Sequence, residues 1–165
     1  MEIRKATLGD VDEIMAVFAR ARAFMESQGN PQWSDGYLTE ELVRADIAKT
    51  YVCIERNRIA CVFYFAVERD PDYGEINGSW VNEEPYAVVH RVASAGIMKG
   101  AAKYCLDWAY ERFPNIRIDT FIQNQPMQAL LNKCGFLYCG DFERNGIVGW
   151  LAYQKPPKAE NEKRI

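Results

Sequence analysis

The sequence has one histidine, His90, among 165 residues. Zinc sites usually draw on several imidazoles or closely paired thiolates, and neither set is present, so no metal is predicted. The 20 Lys and Arg residues against 23 Asp and Glu residues give a net charge of -3 without a basic stripe, which argues against a nucleic-acid partner. No apolar run reaches the roughly 18 residues that span a bilayer, so no membrane partner is expected either.

Cysteine usage indicates the compartment. The chain has five cysteines, an odd number, and no C-x-x-C pair. This usage fits reduced, mostly buried thiols better than a disulfide framework, so we expect a cytoplasmic protein. The first residues, Met1–Lys5, lead into a polar turn rather than the apolar segment of a secretory leader. The five cysteines are Cys53, Cys61, Cys105, Cys134 and Cys139.

The composition predicts one globular domain. The chain is 48% hydrophobic, 13% aromatic and 26% charged, which is enough apolar material for one core. There are no repeats, and no shift in composition marks a domain boundary. Because the last residues are polar and begin with two prolines, the predicted organisation is a single domain over residues 1–155 and a polar C-terminal tail over 156–165.

Hydrophobic periodicity predicts an α/β protein. Apolar residues at three- and four-residue spacing predict an amphipathic helix over 11–25, and β-branched and aromatic residues predict an antiparallel hairpin over 51–67. A mostly apolar strand follows at 86–93. The chain then continues through a helix, a strand and a second helix to a hairpin whose turn is Asn145-Gly146. The predicted order is β-α-α-β-β-β-α-β-α-β-β, a mixed α/β sheet.

The segment from Arg91 to Ala102 joins the apolar strand to the next helix and has the composition of an anion cradle. Its small residues let the backbone approach a ligand, and the helix N-terminus presents N–H groups at the positive end of the helix dipole. A diphosphate would suit this arrangement. The alternative is that Gly96 and Gly100 are ordinary turn and helix-start glycines.

Four segments carry a resemblance to a known family. They are Ile3–Thr7 with Asp10, His90–Ala93, Gly100–Ala109, and Asn124 with the helix that ends at Gly135-Phe136. In this order they resemble the first strand and helix, the fourth strand, the helix after the pyrophosphate loop, and the asparagine-led helix of the GNAT superfamily of N-acetyltransferases. The resemblance implies a mixed, mostly antiparallel central sheet of about seven strands with about four helices, in which strands 4 and 5 splay apart.

The resemblance also implies a function and a cofactor. GNAT enzymes move an acetyl group from acetyl-CoA to a primary amine, which attacks directly in a ternary complex. The fourth strand would bind the pantetheine arm like an added strand, an N–H near Ala93 would polarise the thioester carbonyl, and the loop and helix would bind the diphosphate. The residues implied for cofactor binding are Val92, Ala93, Ser94, Met98, Lys99, Gly100, Ala101, Ala102 and Asn124.

Two positions depart from the family's pattern. Where the family's loop begins with Arg or Gln, this chain has Ile97, and we expect Gly96 and Lys99 to substitute for the lost phosphate contacts. Where many members place a tyrosine that protonates the departing thiolate, this chain has Leu131. Proximity and orientation can contribute roughly 7 to 11 kcal/mol to catalysis, so the loss of one proton-transfer residue need not abolish turnover.

Several residues are candidates for proton transfer. Glu68, Glu75 and His90 are candidate bases for the amine. A histidine on an apolar strand is more often structural, and Glu75 could equally belong to a solvated loop. Tyr138 is the nearest alternative acid, against a packing role between strands, and solvent could also protonate the thiolate. We predict Glu75 and Tyr138 as the catalytic residues.

Aromatic side chains in loops are candidates for the acceptor pocket. Trp33, Tyr37 and Trp80 lie outside the periodic elements, which favours substrate binding, although each could instead plug a loop. The acceptor is predicted to be an amine on a small molecule or a peptide, with a lysine side chain included. A homodimer is compatible with the sequence.

Two other functions stay open. One is a non-catalytic module that binds or senses acyl-CoA, motivated by Ile97 and Leu131. The other is a thiol enzyme that uses Cys134 or Cys139 with His90. The thiol enzyme is less favoured because a buried structural cysteine is the commoner state.

Overall fold

A computed structural model of the protein describes residues 1–159. This part of the chain contains four α-helices and eight β-strands. The helices are α1 (Val11–Ser27), α2 (Glu40–Ala45), α3 (Ala101–Arg112) and α4 (Gln125–Lys133). The strands are β1 (Glu2–Lys5), β2 (Thr50–Glu55), β3 (Arg58–Val67), β4 (Asn77–Gly78), β5 (Ala87–Ser94), β6 (Ile116–Phe121), β7 (Leu137–Arg144) and β8 (Ile147–Lys155).

The strands are hydrogen-bonded in the order β1-β2-β3-β5-β6-β8-β7-β4. The pairing of β5 with β6 is parallel and comprises only Ala87↔Ile116 and Val88↔Arg117. These two pairs lie at the start of both strands, as expected for strands that splay apart. The ladders of β1 with β2, β2 with β3, β6 with β8, and β7 with β8 and β4 are antiparallel. The predicted mixed, mostly antiparallel sheet with four helices is therefore confirmed. It has eight strands rather than about seven, because the two-residue β4 pairs with β7.

The described residues form two compact units. The first comprises Met1–Phe65 and His90–Cys105, and the second comprises Ala66–Val89 and the chain from Leu106 onward. Strand β5 contributes its first residues to the second unit and its last residues to the first. The prediction of a single domain over 1–155 stays a prediction.

In the first unit, α1 buries one face against the β1–β3 part of the sheet. Buried side chains recur at Val11, Ile14 and Val17 because a helix brings residues three or four apart onto one face. They pack with strand residues such as Val52 and Val62 in one apolar cluster. This packing stabilises the helix far more than its intrinsic propensity does.

A carboxylate also links α1 to the sheet of the first unit. The backbone N–H of Ile59 on β3 donates to Glu13 Oε2 at 2.6 Å. A charge-assisted hydrogen bond of this kind is stronger than a neutral one, so it sets the position of the helix along the strand. The position of the other α1 side chains relative to β3 is therefore fixed as well.

In the second unit, β7 and β8 form the hairpin that the sequence predicts. Asn145 and Gly146 have φ values of 53° and 78°, as a type I′ turn requires. Strand β4 pairs with β7 at Gly78 and Gly140, where a Cβ on Gly78 would overlap Cys139 O and a Cβ on Gly140 would overlap Asn77 O. Only glycines allow this close approach.

Element bounds differ from the prediction by a few residues. Helix α3 begins at Ala101 rather than near Met98, and α2 ends at Ala45 and continues as a 3-10 turn over Ile47–Lys49. Residues 160–165 of the predicted tail lie outside the described residues. Pro156 is buried, and its carbonyl accepts a hydrogen bond from Tyr110 Oη at 2.8 Å. Within residues 1–159, no helix is both long and apolar enough to cross a membrane.

Candidate active site

Strand β5 is distorted at Arg91, whose φ of 56° lies in the left-handed region. This conformation is uncommon for a residue with a Cβ and costs on the order of 1–3 kcal/mol. A left-handed residue within a strand turns the adjacent peptide groups out of the ladder, as in a β-bulge. The distortion stands directly before Val92, Ala93 and Ser94, which the sequence predicts to bind the cofactor.

The side chain of Arg91 is held from three sides within the first unit. Its Nη1 forms a salt bridge with Asp46 Oδ2 at 2.8 Å, and its Nε donates to Tyr37 Oη at 3.2 Å. The guanidinium also lies 5.2 Å from the centre of the Tyr64 ring. Burial acts to lower the pKa of Arg91, but Tyr37 and Asp46 outweigh it and the pKa is raised. These contacts offset the strain of the backbone.

The loop after β5 leads into the N-terminus of α3. Ala95 N–H donates to Ala60 O at 2.9 Å, and Gly96 N–H donates to Ser94 Oγ at 3.3 Å, which fixes the start of the loop. Tyr104 N–H bonds to Gly100 O, so the N–H groups of the preceding turn have no acceptor within the helix. Gly100 has a φ of 83°, and nothing lies within 4 Å of where its Cβ would be. The geometry is that of an open anion cradle.

An arginine from another element lies against this loop. Arg20 of α1 donates from Nη1 to Ser94 O at 3.4 Å. Gly96 has a φ of 76°, and a Cβ there would overlap the Arg20 guanidinium, with Nη1 only 2.7 Å away. Glycine at position 96 therefore serves both the turn and the approach of the arginine. Sequence reasoning missed this contact.

A second polar cluster lies within the second unit. Arg144 donates to both carboxylate oxygens of Asp119 at 3.1 Å and to Asp72 Oδ2 at 2.8 Å, and Tyr73 Oη donates to Asp119 at 2.6 Å. Burial, followed by the Asp119 charge, raises the pKa of Tyr73 well above its usual value. Burial acts to lower the pKa of Arg144, but the two carboxylates outweigh it and raise the pKa. The cluster fastens the segment before β4 to β6 and β7.

Comparison with known proteins identifies the family. A family model described as Acetyltransferase (GNAT) domain matches residues 1–137. A GNAT-family acetyltransferase from Streptococcus agalactiae 2603 is 33% identical, over 94% of each chain, with a TM-score of 0.87. The chain belongs to the GNAT family of acetyltransferases. The predicted family and the predicted class of enzyme, an N-acetyltransferase, are thereby confirmed.

Two further solved structures share the GNAT fold. A protein from Staphylococcus aureus Mu50 is 27% identical, over 94% of this chain and 99% of that chain, with a TM-score of 0.71. A ribosomal-protein-alanine N-acetyltransferase from Brucella melitensis is 16% identical, over 94% of this chain and 99% of that chain, with a TM-score of 0.67. No curated protein was found to match the sequence.

The residues at the start of α3 fit the diphosphate of the GNAT family's donor, acetyl-CoA. The donors there are backbone N–H groups, and Gly100 adds no side chain that would block a ligand. Met98 is 37% exposed and Lys99 is exposed, so the lip of the loop faces outward. The side chain of Ile97 carries no hydrogen-bonding group, so the loop lacks the side-chain donor that many GNAT members have there.

The aromatic residues predicted for the acceptor pocket of this GNAT chain differ in their surroundings. Trp33 is only 6% exposed and packs edge-on against Phe18 with 5.7 Å between ring centres. Tyr37 is 46% exposed, and its hydroxyl accepts the hydrogen bond from Arg91. Trp80, in the second unit, donates from Nε1 to Tyr73 O at 2.9 Å. Trp33 and Tyr37 thus belong to one unit, and Trp80 packs within the other.

Trp33 also borders a small open pocket of about 60 Å³. The pocket lies between α1 and the loop that precedes α2. Its lining residues are Met15, Phe18, Ala19, Arg22, Trp33 and Leu38.

The predicted proton-transfer residues of the GNAT chain lie in the second unit. Glu75 is exposed and forms no hydrogen bond or ion pair with the described residues. Tyr138 is 52% exposed and packs edge-on against Tyr153, its partner across the β7–β8 ladder. Burial, with smaller contributions from Asp141 and Cys139, raises the pKa of Tyr138. Both assignments stay predictions.

The remaining candidate residues are buried, half-buried, packed against a ring or engaged in a helix cap. Leu131, at the position of the family's usual tyrosine, is fully buried. His90 packs against Tyr64 with 5.7 Å between ring centres, and Glu68 is half-buried. Asn124 caps α4, its Oδ1 accepting the Met127 N–H at 3.2 Å. Asn124 thus has a structural role whether or not it also binds a cofactor.

All five cysteines are buried, and none of them forms a disulfide within the described residues. Cys105 lies beside Cys53 and Cys61, and the hydrogen bonds that its S–H donates to them, together with burial, raise its pKa. Cys105 is therefore a poor nucleophile. Within residues 1–159, no group of three or more histidine, cysteine, aspartate or glutamate side chains is arranged to hold a metal ion.

Proposed function

We propose that this GNAT chain transfers the acetyl group of acetyl-CoA to a primary amine by direct attack in a ternary complex. The observation that carries the proposal is the distorted strand at Arg91, which runs through a glycine-containing loop into the open N-terminus of α3. A distorted strand frees backbone groups for a ligand, and the helix start provides donors for an anion. Acetyl-CoA has both parts, an amide-bearing arm and a diphosphate.

We assign the cofactor to residues of β5, the loop and α3. The backbone of Val92–Ser94 would bind the pantetheine arm as an added strand does. Residues 98–102 would bind the diphosphate, through the N–H groups of the first helical turn and the Lys99 ammonium. We also assign Asn124 a contact with the arm. When bound, acetyl-CoA supplies an activated thioester carbonyl.

The backbone of β5 contributes orientation and polarisation to catalysis. We propose that a backbone N–H of β5 near Ala93 donates to the thioester oxygen, because the left-handed Arg91 turns nearby peptide groups away from the ladder. The contacts of Arg91 with Asp46 and Tyr37 hold this strand segment in place. A fixed donor needs no reorganisation during the reaction, which is why such groups are effective.

For proton transfer we propose Glu75 as the base that neutralises the amine and Tyr138 as the acid that protonates the thiolate. Leu131 cannot do the second task because it is a buried aliphatic residue. General acid–base catalysis contributes about 100-fold or more, so Glu75→Gln and Tyr138→Phe should each lower kcat by about that factor. A variant that keeps the full kcat would show that solvent does that task instead.

For the acceptor we propose a small-molecule or peptide amine that contacts Trp33, Tyr37 and Trp80. The pocket beside Trp33 and the exposed ring of Tyr37 support this assignment within the first unit. A relative in fold is named as a ribosomal-protein-alanine N-acetyltransferase, and that name supports including peptide N-termini among the acceptors tested. The reduced, buried cysteines favour a cytoplasmic location.

The function is tested with the full chain, acetyl-CoA and a panel of amines that includes polyamines, free lysine and peptides with unblocked N-termini. Mass spectrometry detects the acetylated amine, and calorimetry measures CoA binding. We expect CoA binding and transfer to at least one class of amine. Binding without any transfer would favour the acyl-CoA binding or sensing module, and the absence of binding would contradict both functions.

A further inference from the structure

We propose that Arg20 of α1 binds the diphosphate of the acyl-CoA donor and supplies the cation that the loop lacks at Ile97. The inference rests on the proposed function, because it assigns a contact to the proposed donor. It names a residue from a different element, far from the loop in sequence. Three features support this role: the position of the guanidinium, its unused donors and the loop residues beside it.

The position of Arg20 follows from the helix. Residue 20 is three positions after the buried Val17 and one before the buried Ala21, so it stands at the edge of the face that α1 buries. A long side chain at this edge can extend past the apolar contact to a neighbouring backbone segment. In this protein the neighbouring segment is Ser94–Gly96, and the guanidinium lies against it.

The guanidinium has most of its hydrogen-bonding capacity to spare. It carries five N–H donors. With the described residues it makes a single hydrogen bond, to Ser94 O, at the long distance of 3.4 Å. The side chain is exposed rather than enclosed. An exposed cation with unused donors, held against a phosphate-binding loop, is arranged to meet an anion.

Glycine at position 96 leaves room for this arginine. A side chain there would displace the guanidinium from its place on the loop, and the φ of 76° at Gly96 independently favours glycine. Ile97, the next residue, is 37% exposed, and its side chain cannot donate a hydrogen bond. The cation therefore reaches the loop from α1 at the place where the loop's own sequence provides none. A diphosphate suits a planar guanidinium because it can accept two parallel hydrogen bonds.

The test compares Arg20→Met with Arg58→Met by calorimetric titration of the free protein with CoA. Both substitutions remove one positive charge, and Arg58 is exposed at the start of β3. We expect Arg20→Met to raise the Kd for CoA about ten-fold relative to Arg58→Met, as the loss of a charge-assisted contact predicts. Arg20→Lys should have an intermediate Kd, because lysine keeps the charge but not the planar pair of donors.

Three ligands locate the contact. The loss should be equally large for 3′-dephospho-CoA, which keeps the diphosphate, and should vanish for pantetheine, whose weak binding is followed by NMR titration. A loss confined to CoA would assign Arg20 to the 3′-phosphate and overturn the proposal. An equal loss for pantetheine would show that Arg20 only shapes the loop, which would also overturn it.

The outcomes separate this inference from the proposed function. If the unmodified chain does not bind CoA, the proposed function fails first. If the unmodified chain binds CoA and Arg20→Met binds it as tightly as Arg58→Met does, only the role of Arg20 fails. Circular dichroism and the thermal midpoint of each variant report whether it folds. If Arg20→Met does not fold, Arg20→Lys is compared with Arg58→Met instead.

Discussion

Arg20 and Arg144 show two uses of the same side chain. Arg144 donates twice to Asp119 and once to Asp72, and it lies 4.6 Å from the centre of the Trp150 ring. Arg20 makes one long hydrogen bond to a backbone carbonyl. A guanidinium whose donors are satisfied by the protein stabilises the fold, whereas one with unused donors at an open loop is available to an anion. Contacts already made thus help to separate structural from ligand-binding cations.

The largest expected effect concerns Arg144. Arg144→Met would leave the Asp119 carboxylate, 5% exposed, without its cation. Removing one partner of a buried ion pair is strongly destabilising, so we expect the free energy of unfolding to fall by about 3 kcal/mol. Urea denaturation measures this loss.

Arg69→Met is the control for Arg144, because Arg69 is exposed in the same unit. It should change the free energy of unfolding by no more than about 0.5 kcal/mol. Adding Asp119→Asn to Arg144→Met should recover part of the loss, since the uncompensated charge is then gone. Equal stability of Arg144→Met and Arg69→Met would contradict the structural role assigned to Arg144.

A smaller effect, on CoA affinity, is expected at Gly100, where no atom of the described chain beyond the adjacent residues lies within 4 Å of the place that a Cβ would take. Gly100→Glu and Gly100→Gln share the same side-chain size and the same backbone strain at a φ of 83°. They differ in one negative charge at the start of α3. We expect the glutamate variant to bind CoA about ten-fold more weakly, a difference of about 1.4 kcal/mol in calorimetric titration.

The Gly100 pair also carries its own control. Their thermal midpoints should agree, because the strain is common to both variants and the position is open. If the two variants bind CoA equally, the diphosphate does not bind at this helix start, and residues 98–102 lose their assignment.

The smallest effect is expected at Asp10, a satisfied carboxylate nearer the surface. Asp10 accepts hydrogen bonds from Arg4 at 2.8 and 3.1 Å and from Thr7 N–H at 2.8 Å. These bonds, that of Arg4 foremost, hold the pKa of Asp10 below its usual value, although burial opposes the shift. We expect Asp10→Asn to cost about 1 kcal/mol of unfolding free energy at pH 7.

The pH dependence of that cost has a defined sign. The folded pKa of Asp10 lies below the unfolded value of about 3.9, so the carboxylate stabilises the fold fully above about pH 5. The contribution is lost as the pH falls below the unfolded pKa and through the folded one. Urea denaturation at pH 7, 5 and 3 should show the gap between the original chain and Asp10→Asn closing. A constant gap would mean that the charge is not involved.

Local patterns in the sequence predicted most of the fold. Helix α1 follows from the spacing of Val11, Ile14 and Val17, and the β7–β8 turn follows from Asn145-Gly146. In each case the residues that determine the structure are neighbours along the chain, so periodicity and turn chemistry are sufficient. Strand β4 escaped prediction because two residues carry no periodicity.

The site was harder to predict because its main features join distant segments. The left-handed Arg91 is stabilised by Asp46 and Tyr37, which are more than 40 positions away in the sequence. Arg20 reaches a carbonyl 74 positions away. A cation at the edge of the apolar stripe of α1 was the available signal, yet it does not say which segment lies beside that edge. Such contacts depend on packing, which one sequence reveals only indirectly.

The burial of the cysteines gives the molecule internal reporters of its own opening. Cys53, Cys61 and Cys105 belong to the first unit, and Cys134 and Cys139 belong to the second. A thiol reagent can reach a buried sulfur only when the surrounding structure opens, so the labelling rate under native conditions measures the free energy of that local opening. If the cysteines of one unit are replaced, the labelling rate reports the opening of the other unit alone, and no probe has to be introduced beforehand.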